Sequence, residues 1–190
     1  MSVEVAETNA GLSAKRHAET MEHRSVLKTF VRDVRLLLIA LWLGGAVFFS
    51  ATVAPTAFSV LRARNVAYAN EAAGTIVTRT LSVINTGGFI IALLLILSAF
   101  LFRRTVRRRA FLAETASLAL VAIATGVGQW IIGARMLALR AQMLRPIDDV
   151  AVDDPLRVSF NSLHGYSVTA LSLGVIAAAV ALLLIARRGK

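Results

Sequence analysis

The sequence contains no cysteine among its 190 residues. Disulfide bonds, thiolate metal sites, iron–sulfur clusters and covalent c-type haem attachment all need cysteine sulfur, so each is excluded. Histidine is scarce too, and of the three in the chain His17 and His23 lie in a polar N-terminal stretch. Only His164 lies near an apolar run, so one chain lacks the two buried histidines of a bis-histidine haem. A haem held by one histidine or shared across a dimer stays open, but we predict no cofactor.

Catalytic motifs are missing as well. The sequence has no Ser-His-Asp arrangement, no HExxH pattern, no paired intramembrane carboxylates and no phosphate-binding loop. One histidine without cysteine or a buried carboxylate is a poor set of metal ligands. We therefore expect that the protein is not an enzyme and has no metal site.

Charged residues are absent from four long windows. Hydrophobic residues make up 57% of the chain and the mean hydropathy is +0.70, against about 45–50% apolar residues in a soluble domain. The charge-free windows are Leu36–Leu61, Thr80–Phe102, Thr115–Ala134 and Val158–Ala186. Each is long enough to cross a hydrocarbon core of roughly 30 Å as a helix, the form that satisfies the backbone in lipid. The sequence therefore predicts an all-α membrane protein, a bundle of four transmembrane helices with spans near 36–58, 81–102, 113–134 and 165–186.

The segments around this 36–186 membrane domain carry their own patterns. Residues 1–23 are polar and small, which predicts a flexible cytoplasmic tail. Residues 24–35 place Arg24, Lys28, Arg32 and Arg35 on one helical face, which predicts a short basic amphipathic helix in the membrane interface. The alternative is that the first span begins early. A surface helix within 62–80, continuous with span two, and an extension of span three toward Met143 are also plausible.

The distribution of basic residues predicts the orientation. The chain has a net charge of +10, and Lys and Arg are twice as frequent on the side that holds both termini. The positive-inside rule then places both termini in the cytoplasm, in the cell's cytoplasmic membrane. The first apolar run is too long for a cleavable signal. Because the basic residues flank apolar runs, anionic lipid head groups are the expected partner rather than nucleic acid. The predicted lipid contacts are Arg103, Arg104, Arg107, Arg108 and Arg109.

Polar residues near the spans share the outer third of the bundle. We hypothesise that they form a cluster facing the bundle interior, open to the outside beneath the acidic loop 146–156, that binds a ligand or a partner. Its candidate residues are Asn85, Gln129, Arg135, His164 and Ser167. The alternative is that these residues form no site, because helix ends are generally more polar than helix middles. The charge-free windows argue against a proton- or sodium-coupled carrier, which usually places ionisable groups at depth.

At several of these residues the chain resembles the transmembrane protein 205-like family, whose members are small four-span membrane proteins. The resemblance covers about 41–186 and lies in the segment from Leu41 to Phe58, in Ala73-Gly74, in the segment from Arg135 to Arg140, and in the Phe-x-x-Leu-His-x-x-Ser pattern from Phe160 to Ser167. The motif residues to which it gives a structural role are Trp42, Gly44, Gly45, Pro55, Phe58, Gly74 and Arg140. The chain departs from the family at Ala134, where a proline is expected. The resemblance implies a four-helix membrane domain and no established activity.

Three classes of function follow from these features. The first is a non-enzymatic membrane component that acts as an accessory subunit or scaffold or organises lipid, with other membrane proteins as candidate partners. The alternative is a carrier or binder of a small solute or metal ion that uses the outer-third residues. A membrane enzyme is the least favoured. Trp42, toward the inner end of span one, is expected to anchor the chain at the membrane interface.

Overall fold

The computed structural model describes residues 26–101 and 108–187, and this part of the chain holds four long helices. They are α1 (Val26–Ala63), α2 (Ala69–Leu101), α3 (Arg108–Gln142) and α4 (Pro155–Arg187). A short 3-10 turn, Ile147–Asp149, lies in the loop between α3 and α4. Each long helix has the length and apolar composition needed to cross a membrane. The predicted all-α fold with four membrane-spanning helices is confirmed.

The helices extend well beyond the predicted spans. α2 begins at Ala69, about three turns before the expected span. α3 continues to Gln142 and ends where Leu144 takes a left-handed backbone conformation, φ 56°, ahead of Pro146. α1 is continuous from Val26, so no break separates residues 26–35 from the first span, and the interfacial position of this segment stays a prediction. The predicted tail, 1–23, lies outside the described residues.

Alternating helix directions give the bundle two distinct ends. The loops 64–68 and 143–154 lie at one end, which we call the Glu71 end. The start of α1, the end of α2, the start of α3 and the end of α4 lie at the other, which we call the Glu114 end. Each end is named after an acidic residue that joins neighbouring helices there.

Two helices contain a π-helical segment in the half nearer the Glu71 end. In α1 it spans Phe49–Val53, and the N–H of Ala54 donates to the carbonyl of Phe49, five residues back. Pro55 follows directly; proline has no N–H and its ring disturbs the preceding turn, which accounts for a change of winding here. In α3 the π segment spans Val127–Gly133.

Trp42 occupies the centre of the packing between α1, α2 and α4. Only 6% of the residue is exposed, and its indole Nε1 donates to the carbonyl of Ile84 at 2.9 Å. A side chain at Gly88 would place its Cβ 2.5 Å from that nitrogen, and the far edge of the ring lies near Gly174. The expectation that Trp42 anchors the chain at the interface is therefore wrong, because its ring packs against Gly88 of α2 and its N–H donates to the carbonyl of Ile84.

Small residues let the helices approach closely around this tryptophan. Ala46, Ala92, Ala178 and Ala181 have no exposed surface. In lipid the hydrophobic effect does not drive helix association, so close backbone packing of this kind holds helices together.

Candidate functional site

The Glu71 end carries a cluster of charged side chains that joins α2, α3 and the loop after α3. The Nε of Arg140 donates to both carboxylate oxygens of Glu71, at 2.8 and 3.0 Å. The Nη1 of the same arginine donates to the carbonyl of Arg145 at 2.7 Å, and the backbone N–H of Ile147 donates to Glu71 at 3.1 Å. Arg140 and Glu71 thus hold the end of α3 and the following loop against α2.

Asp148 completes this cluster by capping α2 from a distant part of the chain. Its carboxylate accepts the backbone N–H of Asn70 at 3.3 Å and of Glu71 at 3.0 Å, and the amide of Asn70 at 2.7 Å. Burial raises the pKa of Asp148, but the hydrogen bonds from Glu71 and Asn70 outweigh it and the pKa lies below its ordinary 3.8. A carboxylate here satisfies free N–H groups at the helix start and complements the helix dipole. We call Asn70, Glu71, Arg140 and Asp148 the Glu71 cluster.

The Glu114 end carries a buried ion pair that the sequence analysis missed. Nη2 of Arg35 bonds to the carboxylate of Glu114 and donates to the carbonyl of Leu95 at 3.2 Å. The side chain of Arg35 is 8% exposed and that of Glu114 is fully buried. The pair therefore joins α1, α2 and α3 inside the bundle.

The reason for the omission is visible in the sequence. Arg35 and Glu114 each stand one residue outside a charge-free window. The helical period could have identified Glu114 as buried, because it shares a helix face with Phe111, Leu118 and Val121, which are also buried. The pattern of basic residues predicts that Arg35 shares an interfacial face with Lys28 and Arg32, but Arg35 is 7% exposed, whereas Leu27 and Phe30 are 53% and 64% exposed.

Three of the five outer-third residues face a helix–helix interface. Asn85 of α2 is 3% exposed and lies against Gly128, where an added Cβ would meet its amide nitrogen at 3.1 Å. The amide of Gln129 donates to the hydroxyl of Ser82 at 2.9 Å. Ser167 of α4 is 6% exposed.

The other two, Arg135 and His164, are exposed. Within the described ranges neither makes a hydrogen bond to Asn85 or Gln129, so the expectation that they face the bundle interior is wrong. The π segment accounts for Arg135. In an α-helix, residues 128 and 135 would lie two turns apart on one face, but the looser π winding between them rotates Arg135 away. Ligand binding by the five residues stays a prediction.

The motif residues have unequal environments. Trp42 is in the core, and Arg140 belongs to the Glu71 cluster. Phe58 is half-buried beneath the guanidinium of Arg62, 5.6 Å from its ring centre. The remaining motif positions are less enclosed: Gly44, Gly45, Pro55 and Gly74. No heavy atom would lie within 4 Å of a Cβ added at any of the three glycines.

Of the predicted lipid contacts, Arg108 and Arg109 are exposed. Arg103, Arg104 and Arg107 lie outside the described residues. Within 26–101 and 108–187 no group of three or more histidine, aspartate or glutamate side chains could hold a metal ion.

An apolar groove runs between the last turns of α3 and the first turns of α4. Its volume is about 420 Å³. Its lining residues are Arg135, Ala138, Leu139, Gln142, Ser159 and Leu163. We call it the α3–α4 groove.

Comparison with known proteins identifies one family. The sequence profile of a family described as "Domain of unknown function (DUF4149)" matches residues 37–145. Comparison with curated proteins and with solved structures finds no match. The matched region contains the Glu71–Arg140 pair and Glu114, whereas Arg35 and Asp148 lie outside it.

Proposed function

The chain belongs to this family of unknown function, and from that premise and its geometry we propose that it is a multi-pass, non-enzymatic component of the cytoplasmic membrane. It acts there as an accessory or scaffolding subunit, or it organises lipid around itself. The observation that carries the proposal is that the charged residues of the buried ion pair and of the Glu71 cluster bond to one another across helices. Arg35 and Glu114 at one end, and Glu71 and Arg140 at the other, contact each other and thereby join helices.

Buried charges in membrane helices usually mark a transport path or a structural contact. Two observations favour the structural role here. Arg35 bonds both to Glu114 and to a main-chain carbonyl, and breaking such a buried pair is costly. Arg140 and Asp148 bind backbone groups of the loop and of a helix start, which fixes the ends of helices rather than opening a route between them.

The outer surface supports a role within lipid. Large apolar side chains are exposed along the helices, among them Leu41 at 70%, Val83 at 73% and Leu97 at 58%. A soluble monomer rarely leaves a contiguous apolar surface of this kind in water. Lipid tails, or apolar faces of neighbouring membrane proteins, would cover it.

The orientation is part of the proposal. Both termini and the loop containing Arg103–Arg109 are cytoplasmic, because twice as many basic residues lie on that side. The Glu114 end then faces the cytoplasm and its anionic lipids, and the Glu71 end faces outward. The resemblance to the transmembrane protein 205-like family fits this arrangement and is retained as part of the proposal.

One observation favours the second candidate, a binder of a small polar solute. Asn85 and Ser167 are both more than nine-tenths buried, and neither hydrogen-bonds to another residue within the described part of the chain. Polar side chains inside a membrane bundle normally find partners. Asn85 lies against Gly128 in the π segment of α3, and π segments are frequent at functional sites.

Extraction from native membranes with a styrene–maleic acid copolymer would separate the two candidates. The particles retain neighbouring proteins, lipids and bound solutes together. The proposed role predicts a stoichiometric protein partner or a lipid composition different from that of bulk membrane. A bound solute or metal ion without either of these would favour the second candidate, and its loss in Asn85→Ala would locate the site.

A further inference from the structure

The α3–α4 groove combines an apolar wall with hydrogen-bond donors that lack acceptors. Arg135, Gln142 and Ser159 line it, and none of the three side chains hydrogen-bonds to another residue in 26–101 or 108–187. The groove contains a permanent cation and no acidic residue. It is therefore complementary to a negatively charged group with several acceptor oxygens.

The rest of the lining suits hydrocarbon. Ala138, Leu139 and Leu163 form the wall, and the stems of Arg135 and Gln142 add further apolar surface. The volume is about 420 Å³, and the groove is shallow and widely open. A lipid could lie along this wall with its polar end within reach of the donors and its methylene chain continuing past Leu163.

The depth of the groove matches a membrane interface. α3 has 35 residues, a length of about 52 Å at 1.5 Å per residue, which exceeds a bilayer of about 40–45 Å with its head groups. Arg135 lies seven residues from the end of α3, or about 10 Å. If the helix is centred in the bilayer, this arginine lies at the boundary between hydrocarbon and head groups. A guanidinium there needs an acceptor, and lipid phosphate is the abundant one.

We propose that the α3–α4 groove binds an anionic phospholipid of the outer leaflet. The phosphate accepts hydrogen bonds from Arg135 and Ser159, and Gln142 donates to it or to the head group from the outer side. The head group lies against Ala138 and Leu139, and one acyl chain continues past Leu163 toward the hydrocarbon. This inference rests on the proposed membrane role and specifies a lipid that the protein would hold.

Native mass spectrometry of the full-length protein in detergent tests the site. The probes are palmitoyl-oleoyl phosphatidylglycerol, the matching phosphatidylcholine and the matching diacylglycerol. Phosphatidylglycerol should bind most tightly and diacylglycerol, which has no phosphate, least. Arg135→Gln should weaken phosphatidylglycerol binding about fivefold, the value of one arginine near a charged lipid. Ala138→Phe, which fills the groove at an exposed position, should weaken all three lipids.

Arg79→Gln is the matched control. Arg79 is an exposed arginine of α2 in the same half of the bundle, outside the groove, and its replacement should leave affinity within twofold. Equal losses in Arg79→Gln and Arg135→Gln would overturn the site, because they would indicate general attraction to the surface. Unchanged binding in Ala138→Phe would also overturn it. Complete displacement of phosphatidylglycerol by 10 mM inorganic phosphate would assign the groove to a free anion instead.

Thermal unfolding followed by tryptophan fluorescence shows whether each variant folds, and Ala138→Leu replaces Ala138→Phe if the larger side chain prevents folding. The membrane role has separate readouts, namely topology and co-purifying proteins. If the wild-type protein does not prefer phosphatidylglycerol while its topology and co-purifying proteins are as proposed, the lipid site alone is overturned.

Discussion

The indole nitrogen of Trp42 lies 2.9 Å from the carbonyl oxygen of Ile84, and the ring occupies the space that a side chain at position 88 would need. One residue of α1 thus makes both a polar and a close apolar contact with a single turn of α2. The indole N–H would otherwise be an unsatisfied donor in the bundle, so the contact fixes the axial register of the two helices.

Gly88→Ala should destabilise the protein because its Cβ would lie 2.5 Å from Trp42 Nε1. Overpacking of this kind costs about 1–3 kcal/mol. Gly87→Ala is the control one position away, where a Cβ meets nothing within 4 Å, and its higher helix propensity should leave stability equal or improved. Unfolding in mixed micelles, followed by tryptophan fluorescence, measures both. Equal effects of the two substitutions would contradict the close contact.

Glu114→Gln should lower the free energy of unfolding strongly, because it leaves the buried charge of Arg35 without its counter-ion. Breaking a buried pair costs about 3–5 kcal/mol. Asp33→Asn, which removes the exposed pair between Arg32 and Asp33, should change stability by less than about 1 kcal/mol. A double-mutant cycle with Arg35→Gln should give a coupling energy of about 0.5–3 kcal/mol. Additive effects would show that the two residues act independently.

Stability should fall as the pH drops below the ordinary pKa of aspartate, and Asp148 should contribute to that fall. Its pKa is lowered in the folded protein, so the contribution is complete above 3.8 and is lost as the pH falls through the folded value. In Asp148→Asn this part of the pH dependence should disappear, with a loss at neutral pH of about 1 kcal/mol or less. Asp153→Asn, in the same loop and exposed, is the control. Identical acid profiles for the wild type and Asp148→Asn would contradict the capping role.

Cysteine labelling of intact cells should reveal the orientation, and the chain suits it because it has no cysteine of its own. Asp153→Cys at the Glu71 end should react with an impermeant maleimide. Arg108→Cys at the Glu114 end should react only after the cells are opened. Both positions are exposed, so their reactivity reports the side of the membrane. The opposite pattern would invert the proposed topology.

The fold could be predicted from the sequence because each helix contains a charge-free window long enough to cross a bilayer. The orientation of single side chains could not, since it depends on contacts between distant segments. Trp42 has the position of an interface anchor, and its burial depends on Ile84, Gly88 and Gly174 in other helices. Asp148 has the appearance of a solvated loop acid, and its role depends on the start of α2, more than 70 residues earlier.

The candidate site was harder to predict because the hypothesis rests on the depth of each residue along its helix, and depth does not fix the direction of a side chain. Extrapolation at 3.6 residues per turn places Arg135 on the face that carries Gly128 and contacts Asn85. The π segment breaks that extrapolation. Within 127–133 only the glycines at 128 and 133 hint at a π-helical segment, and glycine is equally compatible with an α-helix.

The π segment of α3 also changes what a deletion would do. A π-helical turn holds about one residue more than an α-helical turn, so removing one residue within Val127–Gly133 would permit regular α winding and leave the rest of the helix in nearly the same orientation. Arg140 would stay beside Glu71. A substitution that forced α winding without shortening the chain would instead turn everything after the segment by about 100° and separate these two residues. Helix α3 should therefore tolerate the loss of one residue here better than the same loss within Arg108–Gly126 or Ala134–Gln142.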